Sequence, residues 1–252
     1  QLSRLHPEIV AVVQFPESVK AYTSIGDAEL RGVVSAFVKQ GARAIKIHPA
    51  SDGQGAKSRH YLRLIEIAGE LDVPVIIHTG CLHTSMYKDA TMGHAQRFEP
   101  WFRDFKEIDF VLAHTNFHEP AVAIDLAERH PHLWLETSWQ PAEIIGESVR
   151  RLGADRVMFG SDWPFIGSNQ KIGLGRVNDC VESGILTEDD ADLVLGPAQQ
   201  RLVLNDASGL SPTPVARHWI VRANEEAELV ARLRAELKSA TQGKRAVAVS
   251  AA

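Results

Sequence analysis

The chain has 252 residues, of which 44% are hydrophobic and 23% are charged, the balance of a globular domain with a sizeable core. Its formal net charge of −5 argues against a nucleic-acid surface, and no apolar run approaches the roughly 20 residues that a membrane helix needs. The two cysteines, Cys81 and Cys180, are too few for a disulfide framework, so we expect a cytoplasmic protein.

Apolar runs alternate with helical periodicity along the chain. The first predicted strand, residues 9–15, precedes a helix that we expect Asp27 to cap and that stops at Gly41. Further strands are predicted at residues 43–48, 73–78, 109–114, 132–137 and 156–160. Helices are predicted at residues 61–71, 98–106, 120–129, 141–152, 175–183, 188–195 and 197–204. Strands that alternate with helices in this way predict a parallel sheet covered by helices.

Polar residues at the strand ends favour a closed barrel over an open sheet. No strand is followed by a glycine-rich phosphate-binding fingerprint, which weakens a dinucleotide-binding alternative. His48, His78 and His114 each end a predicted strand, and Asp162 lies two residues after Gly160. Catalytic residues at the carboxyl ends of several strands are typical of the (β/α)₈ TIM barrel, which is the predicted fold.

The C-terminal part of the chain has a different composition. The sequence SPTP interrupts the pattern after residue 210, and an amphipathic helix is predicted within NEEAELVARLRAEL. We therefore predict a barrel domain over residues 1–210 and a helical extension with a tail over residues 211–252. This helix is expected to pack on the outer wall of the barrel, and the alternative is a contact in a homodimer.

Three residues are the strongest candidates for chemistry. His78 ends the strand VPVIIH before Thr79 and Gly80, and His114 repeats that arrangement in FVLAHTN. Each histidine alone could be a structural residue with a satisfied hydrogen bond, and Asp162 in GSDWP could only form a turn. Their joint placement at three strand ends predicts a metal or acid–base site, because neutral imidazole is a common metal ligand.

The motifs IKIHP, PVIIHTG, VLAHTN, ADRVMFGSDWPF and LGPAQQRLVL resemble the amidohydrolase-related family, and the resemblance covers residues 5–205. That family comprises metal-dependent TIM-barrel hydrolases and decarboxylases similar to aminocarboxymuconate-semialdehyde decarboxylase. GSDWP is the most specific piece, and LGPAQQRLVL departs from the usual Gly-Asn-Ala pattern. The family also has a His-x-His pair on the first strand, which this sequence lacks. The six predicted strands would then be strands three to eight, with two strands missing before Gln1.

The resemblance implies a role for each candidate. His78 is a metal ligand, and Asp162 binds metal and accepts a proton from water. His114 polarises the substrate or acts as an acid or base. The resemblance implies one divalent metal ion, for which zinc is the expected identity, although zinc usually needs three protein ligands in a catalytic site.

Three further residues are candidates for substrate binding. Lys46 and His48 alternate with isoleucines on one strand and share a face, so both could hold a substrate carboxylate. Alternatively, Lys46 extends its charge to solvent and His48 caps the turn at Pro49. Trp163 could form a wall of the pocket or pack as an aromatic plug. The long segment over residues 81–100 is a candidate lid.

Together with this resemblance, the sequence predicts a metal-dependent hydrolase, in which activated water attacks a small amide or lactone substrate. Non-oxidative decarboxylation of a small carboxylic acid uses the same residues and is the first alternative. The second alternative is an inactive barrel that serves as a binding module.

Overall fold

A computed structural model of the chain describes residues 10–163 and 169–196. Six parallel strands form one sheet in this part of the chain. The strands are β1 (Ala11–Gln14), β2 (Ala42–Ile47), β3 (Val75–Gly80), β4 (Phe110–Phe117), β5 (Leu133–Glu136) and β6 (Val157–Met158). Their order across the sheet is the order of the chain. A doubly wound sheet reverses direction at a switch point. The unbroken order therefore confirms the predicted barrel-type arrangement.

Helices follow the strands as predicted. The α-helices are Lys20–Thr23, Asp27–Lys39, Pro49–Asp52, Arg59–Glu70, Glu99–Asp104, Pro120–Arg129, Ala142–Leu152, Asn169–Glu182 and Glu188–Leu195. Short 3₁₀ helices lie at Ala90–Gly93, Ala95–Phe98 and Ala154–Arg156. The predicted helix at residues 197–204 and the C-terminal helix lie outside the described residues, and the domain boundary near residue 210 stays a prediction.

Several predicted boundaries need correction. The cap of the helix Asp27–Lys39 is Gly26, and Asp27 is its first residue, where the carboxylate bonds Arg63 at 2.6 Å. Strand β6 has two residues instead of the predicted five, because the backbone leaves the sheet after Met158. The position of His60 near a helix end predicts a surface residue, but His60 is buried and its Nε2 lies 2.8 Å from the carbonyl oxygen of Phe15.

The two faces of the sheet bury different sets of residues. The outer face packs against the helices through a large apolar core that includes Ile45, Ile77 and Leu112. The inner face carries a smaller cluster of Val111, Trp134, Met158 and Ile76. Side chains alternate between faces along a strand. The strand register therefore assigns each residue near the carboxyl ends to one face.

Candidate active site

The inner face of the sheet becomes polar toward the carboxyl ends of the strands. Lys46 is paired with Ile76, an inner-face residue, so Lys46 also lies on the inner face. By the same alternation, His78 on β3 and Glu136 on β5 follow Ile76 and Trp134 onto that face. The predicted shared face of Lys46 and His48 is thus the interior side of the sheet.

The backbone at the end of β4 brings His114 into the same group. Ala113 is paired with His78 and lies on the inner face, so in a regular strand the next residue, His114, would lie on the outer face. Its φ of 67° breaks the alternation, and Thr115 and Asn116 continue in the left-handed region at 44° and 53°. The His114 ring consequently contacts the inner-face histidine, with 3.1 Å between His114 Nε2 and His78 Nδ1.

Three histidine rings are in contact at this edge. The His48 and His78 rings are stacked with 3.8 Å between their centroids, and the His78 and His114 rings are edge-to-face at 4.8 Å. His48 Nδ1 also accepts a hydrogen bond from the backbone N–H of Ser51, and by this bond His48 caps the short helix Pro49–Asp52. Since Nδ1 accepts, the neutral His48 ring carries its hydrogen on Nε2. The capping role that the sequence offered as an alternative for His48 is therefore present, and it leaves the Nε2–H group of His48 as its one donor.

Glu136 and Ser138 support His114 from β5. The carboxylate of Glu136 accepts hydrogen bonds from the backbone N–H of His114 at 2.9 Å, the backbone N–H of Ser138 at 2.6 Å and the Ser138 hydroxyl at 2.8 Å. The hydroxyl oxygen of Ser138 lies 2.5 Å from His114 Nδ1. Both ring nitrogens of His114 are thus engaged within the protein, and its predicted direct role toward the substrate stays a prediction.

Asp162 lies at the rim of the same cleft. The indole N–H of Trp139 donates a hydrogen bond to Asp162 Oδ2 at 2.8 Å, and Asp162 has a φ of 53°. The empty space in and above the cleft is about 310 Å³, a volume that includes open solvent. It is lined by His78, Thr79, Gly80, Leu82, Tyr87, His114, Phe117, Trp139 and Asp162. His78, His114 and Asp162, predicted separately from three strand ends, therefore share one cleft.

Trp163 and the segment over residues 81–100 differ in their relation to the cleft: Trp163 is exposed, whereas the segment contacts the histidine rings. The side chain of Trp163 is 58% exposed, and Trp139 rather than Trp163 supplies the indole wall of the cleft. The segment places Tyr87 against the rings of His48 and His78 at centroid distances of 5.0 and 5.4 Å. Asn116 Oδ1 accepts the backbone N–H of Ala95 and fastens the same segment to β4. The substrate-binding role of Trp163 and the lid both stay predictions.

Burial determines the charge states of these groups. It lowers the pKa of His48 to about 4, and it also lowers the pKa values of His78 and His114. Burial likewise lowers the pKa of Lys46, while the negative charges of Glu136 and Asp162 oppose that shift. All three histidines are therefore neutral at pH 7, the form in which an imidazole nitrogen can bind a metal ion.

The donors in the cleft fit part of a metal site. His78 Nε2 is buried and has no hydrogen-bond partner, which is the state expected of a ligand nitrogen. The carboxylate of Asp162 lines the same cleft. Within residues 10–163 and 169–196, however, no three His, Cys, Asp or Glu side chains are grouped to hold a metal ion. His78 and Asp162 thus match the predicted ligands in chemistry without completing a set.

Glu136, Ser138 and Trp139 were not singled out from the sequence. Glu136 is a polar residue near the end of the apolar run HLWLET, the same signal that identified His78 and His114. That signal was present and could have been used. Ser138 and Trp139 follow in a turn, where no periodicity indicates which side chain points toward the cleft.

Comparison with known proteins identifies the family. The family model described as "Amidohydrolase" matches residues 14–206, so the chain belongs to the amidohydrolase family. This confirms the resemblance and the predicted class of enzyme, one of hydrolases and carboxy-lyases that generally depend on metal and act on small molecules. A search of curated proteins finds no match.

Solved structures with the same fold have low sequence identity. 2,6-Dihydroxybenzoate decarboxylase from Rhizobium is 16% identical with a TM-score of 0.61, and the match covers 82% of this chain and 74% of that one. 4-Oxalomesaconate hydratase from Rhodopseudomonas palustris is 19% identical with a TM-score of 0.55, covering 90% and 72%. A putative 2-pyrone-4,6-dicarboxylic acid hydrolase from Pseudomonas putida is 16% identical with a TM-score of 0.53, covering 82% and 76%. These likenesses support the TIM-barrel fold.

The remaining expectations concern location and assembly. No helix in the described part of the chain is long and apolar enough to cross a membrane. Cys81 and Cys180 are both free. The cytoplasmic location and the homodimer stay predictions.

Proposed function

We propose that the chain is a metal-dependent hydrolase that opens a small amide or lactone substrate bearing a carboxylate. The observation that carries the proposal is the unpartnered Nε2 of His78, buried in a cleft that it shares with Asp162. A carboxylate on the substrate is supported by the names of the three solved structures, which all denote carboxylic acids. Lys46 on the inner face is the cation that we assign to it.

His78 and Asp162 would hold the metal ion, and zinc is the identity that suits a nitrogen and a carboxylate oxygen. A divalent ion held there would supply Lewis-acid chemistry, because it would polarise a carbonyl oxygen and make water more acidic. Asp162 is exposed at the rim and can accept the proton that the attacking water loses. His48 presents its Nε2 hydrogen as a neutral donor, which suits a developing negative charge on the substrate.

The hydrolase reading is tested by metal content and product analysis on the full chain. Purified protein should retain zinc after dialysis, His78→Asn should lose it, and His132→Asn, at the amino end of β5, should retain it. With a panel of lactones and amides that carry a carboxylate, the expected product is the ring-opened or cleaved acid without carbon dioxide. Equal zinc retention in His78→Asn and wild-type protein would contradict the proposed ligand.

Non-oxidative decarboxylation is the second candidate. Its support is the partly buried Lys46 beside His48, a pair that can hold a carboxylate near the cleft. The name of the Rhizobium structure points the same way. Release of carbon dioxide from a hydroxybenzoate, with no hydrolysis of the lactone panel, would select this reaction.

A further inference from the structure

A chain of four polar side chains runs from β5 to the cleft and ends at His78. Its members, named here the relay, are Glu136, Ser138, His114 and His78. We propose that Glu136 and Ser138 are positioning residues that fix the tautomer of His114 and, through it, present an unprotonated His78 Nε2 to the cleft. The proposal concerns where the hydrogens lie along the relay, and it follows from the number of hydrogens each group owns.

Ser138 determines the donor-to-acceptor direction of the hydrogen bonds in the relay. Its hydroxyl has one hydrogen, and its oxygen lies 2.8 Å from Glu136 Oε2 and 2.5 Å from His114 Nδ1. A carboxylate only accepts, so the hydroxyl hydrogen goes to Glu136. The Ser138 oxygen must then accept from His114, which places the single hydrogen of that neutral ring on Nδ1.

The same argument continues to the cleft. With its hydrogen on Nδ1, His114 offers a lone pair at Nε2, 3.1 Å from His78 Nδ1. His78 must therefore donate from Nδ1, and its Nε2 is left with a lone pair. This is the same atom that is buried without a partner. The stacked ring of His48 restrains the plane of the His78 ring, so the lone pair also has a fixed direction.

The whole arrangement depends on Glu136 being ionised. Burial raises the pKa of Glu136, and the two backbone N–H groups, the hydroxyl and the charge of Lys46 offset only part of that rise. Three donors on one carboxylate favour the charged form. A protonated Glu136 would donate to Ser138 and reverse every bond of the relay, which would place a hydrogen on His78 Nε2.

The functional consequence rests on the proposed binding of metal by His78. Side chains that orient a metal-binding histidine through its other ring nitrogen typically raise metal affinity by about 10–100-fold. We expect an effect of this size from the relay. Ser138 and Glu136 act through His114, which makes them positioning residues in this enzyme.

The decisive measurement is the ¹⁵N–¹H long-range spectrum of the metal-free full chain, which reports the tautomer of each histidine. In wild-type protein we expect both His114 and His78 to carry hydrogen on Nδ1. Ser138→Ala should give mixed tautomers at both rings. Ser148→Ala removes a buried hydroxyl that bonds within its own helix, and it should leave the spectrum unchanged. Hydrogen on His78 Nε2 in wild-type protein would overturn the proposal, as would unchanged tautomers in Ser138→Ala.

Glu136→Gln is the second variant, because it keeps the size of the side chain and removes the charge. Either orientation of the amide leaves its NH₂ group facing one backbone N–H, that of His114 or that of Ser138. The relay should therefore run in both directions, and His78 should show mixed tautomers. A Zn²⁺ titration of the same proteins separates this inference from the proposed function. Ser138→Ala should weaken zinc binding by about 10-fold or more relative to Ser148→Ala. If the tautomers change as expected but wild-type protein binds no zinc, the relay stands and the proposed metal chemistry fails.

Discussion

Gly160 is placed so that any side chain would strike Glu136. A Cβ atom added to Gly160 would lie 1.7 Å from Glu136 Oε1 and 2.3 Å from Cδ, far inside van der Waals contact. The carboxylate cannot move without giving up its bonds to the backbone N–H groups of His114 and Ser138. We therefore expect Gly160→Ala to displace the carboxylate and to leave those two donors buried without an acceptor.

The cost follows from those two donors. A buried donor without an acceptor costs about 1–3 kcal/mol, so Gly160→Ala should lower the free energy of unfolding by about 2–6 kcal/mol. Urea unfolding of the full chain measures that free energy. The matched control is Gly32→Ala, which lies exposed in the helix Asp27–Lys39 with nothing within 4 Å of its added Cβ. Gly32→Ala should stabilise the protein by about 1 kcal/mol, the difference in helix propensity between alanine and glycine.

A double-mutant cycle shows whether the loss arises at Glu136. Glu136→Ala removes the atoms that the new Cβ would strike, so Gly160→Ala should cost less than about 0.5 kcal/mol in that background, the range of an independent site. If Gly160→Ala is as stable as wild-type protein, Glu136 does not pack against this glycine as described. If its cost is the same with and without Glu136, the loss has another origin.

Three further predictions concern the cleft. Asp162→Asn should lower turnover by about 10²-fold or more with a modest loss of zinc, whereas His78→Asn should lose both, as turnover and elemental analysis would show. Thr79→Val removes the acceptor of the buried Asn116 N–H and should lower the unfolding free energy by about 1–3 kcal/mol in urea, a loss that an unchanged midpoint would refute. Burial lowers the pKa of His48 to about 4 from 6.5, so the unfolded chain binds this proton more readily than the folded one. The stability of metal-free protein should therefore fall as pH drops from 6.5 toward 4, and His48→Gln should flatten that slope.

The regular parts of the fold were predictable because they depend on periodicity. The helix Pro120–Arg129 matches its prediction at both ends, since proline marks the first turn and the apolar positions recur at helical spacing. The helix Glu188–Leu195 also matches, and Thr187 with Asp190 forms a capping box at its start. In both cases the signals lie within the element, so no tertiary contact is needed to find them.

The irregular parts were less accessible. Polar residues at the strand ends indicated where the cleft lies. The contacts of His114 depend on a left-handed backbone that no sequence pattern around it predicts. The short helix Pro49–Asp52 was missed as a helix because four residues carry no measurable period. Glu136 could have been found by position, whereas its hydrogen bonds to His114 and Ser138 depend on how two neighbouring strands end.

The backbone at the carboxyl edge bears on the alternative of an inactive barrel. Seven non-glycine residues in the described part of the chain have positive φ, and six of them follow or end β4, β5 or β6: His114, Thr115, Asn116, His118, Trp139 and Asp162. Residues in unfavourable backbone regions cost of order 1–3 kcal/mol each and persist only where surrounding contacts hold them. Such contacts are present, because the Gln140 side chain donates to the His114 carbonyl oxygen at 2.6 Å and Thr115 Oγ1 donates to that of Glu136 at 2.8 Å. A barrel kept only as a scaffold gains nothing from concentrating this strain around one cleft, whereas an enzyme gains fixed positions for His114 and Asp162. The distribution of strain therefore favours a functional cleft over an inert scaffold.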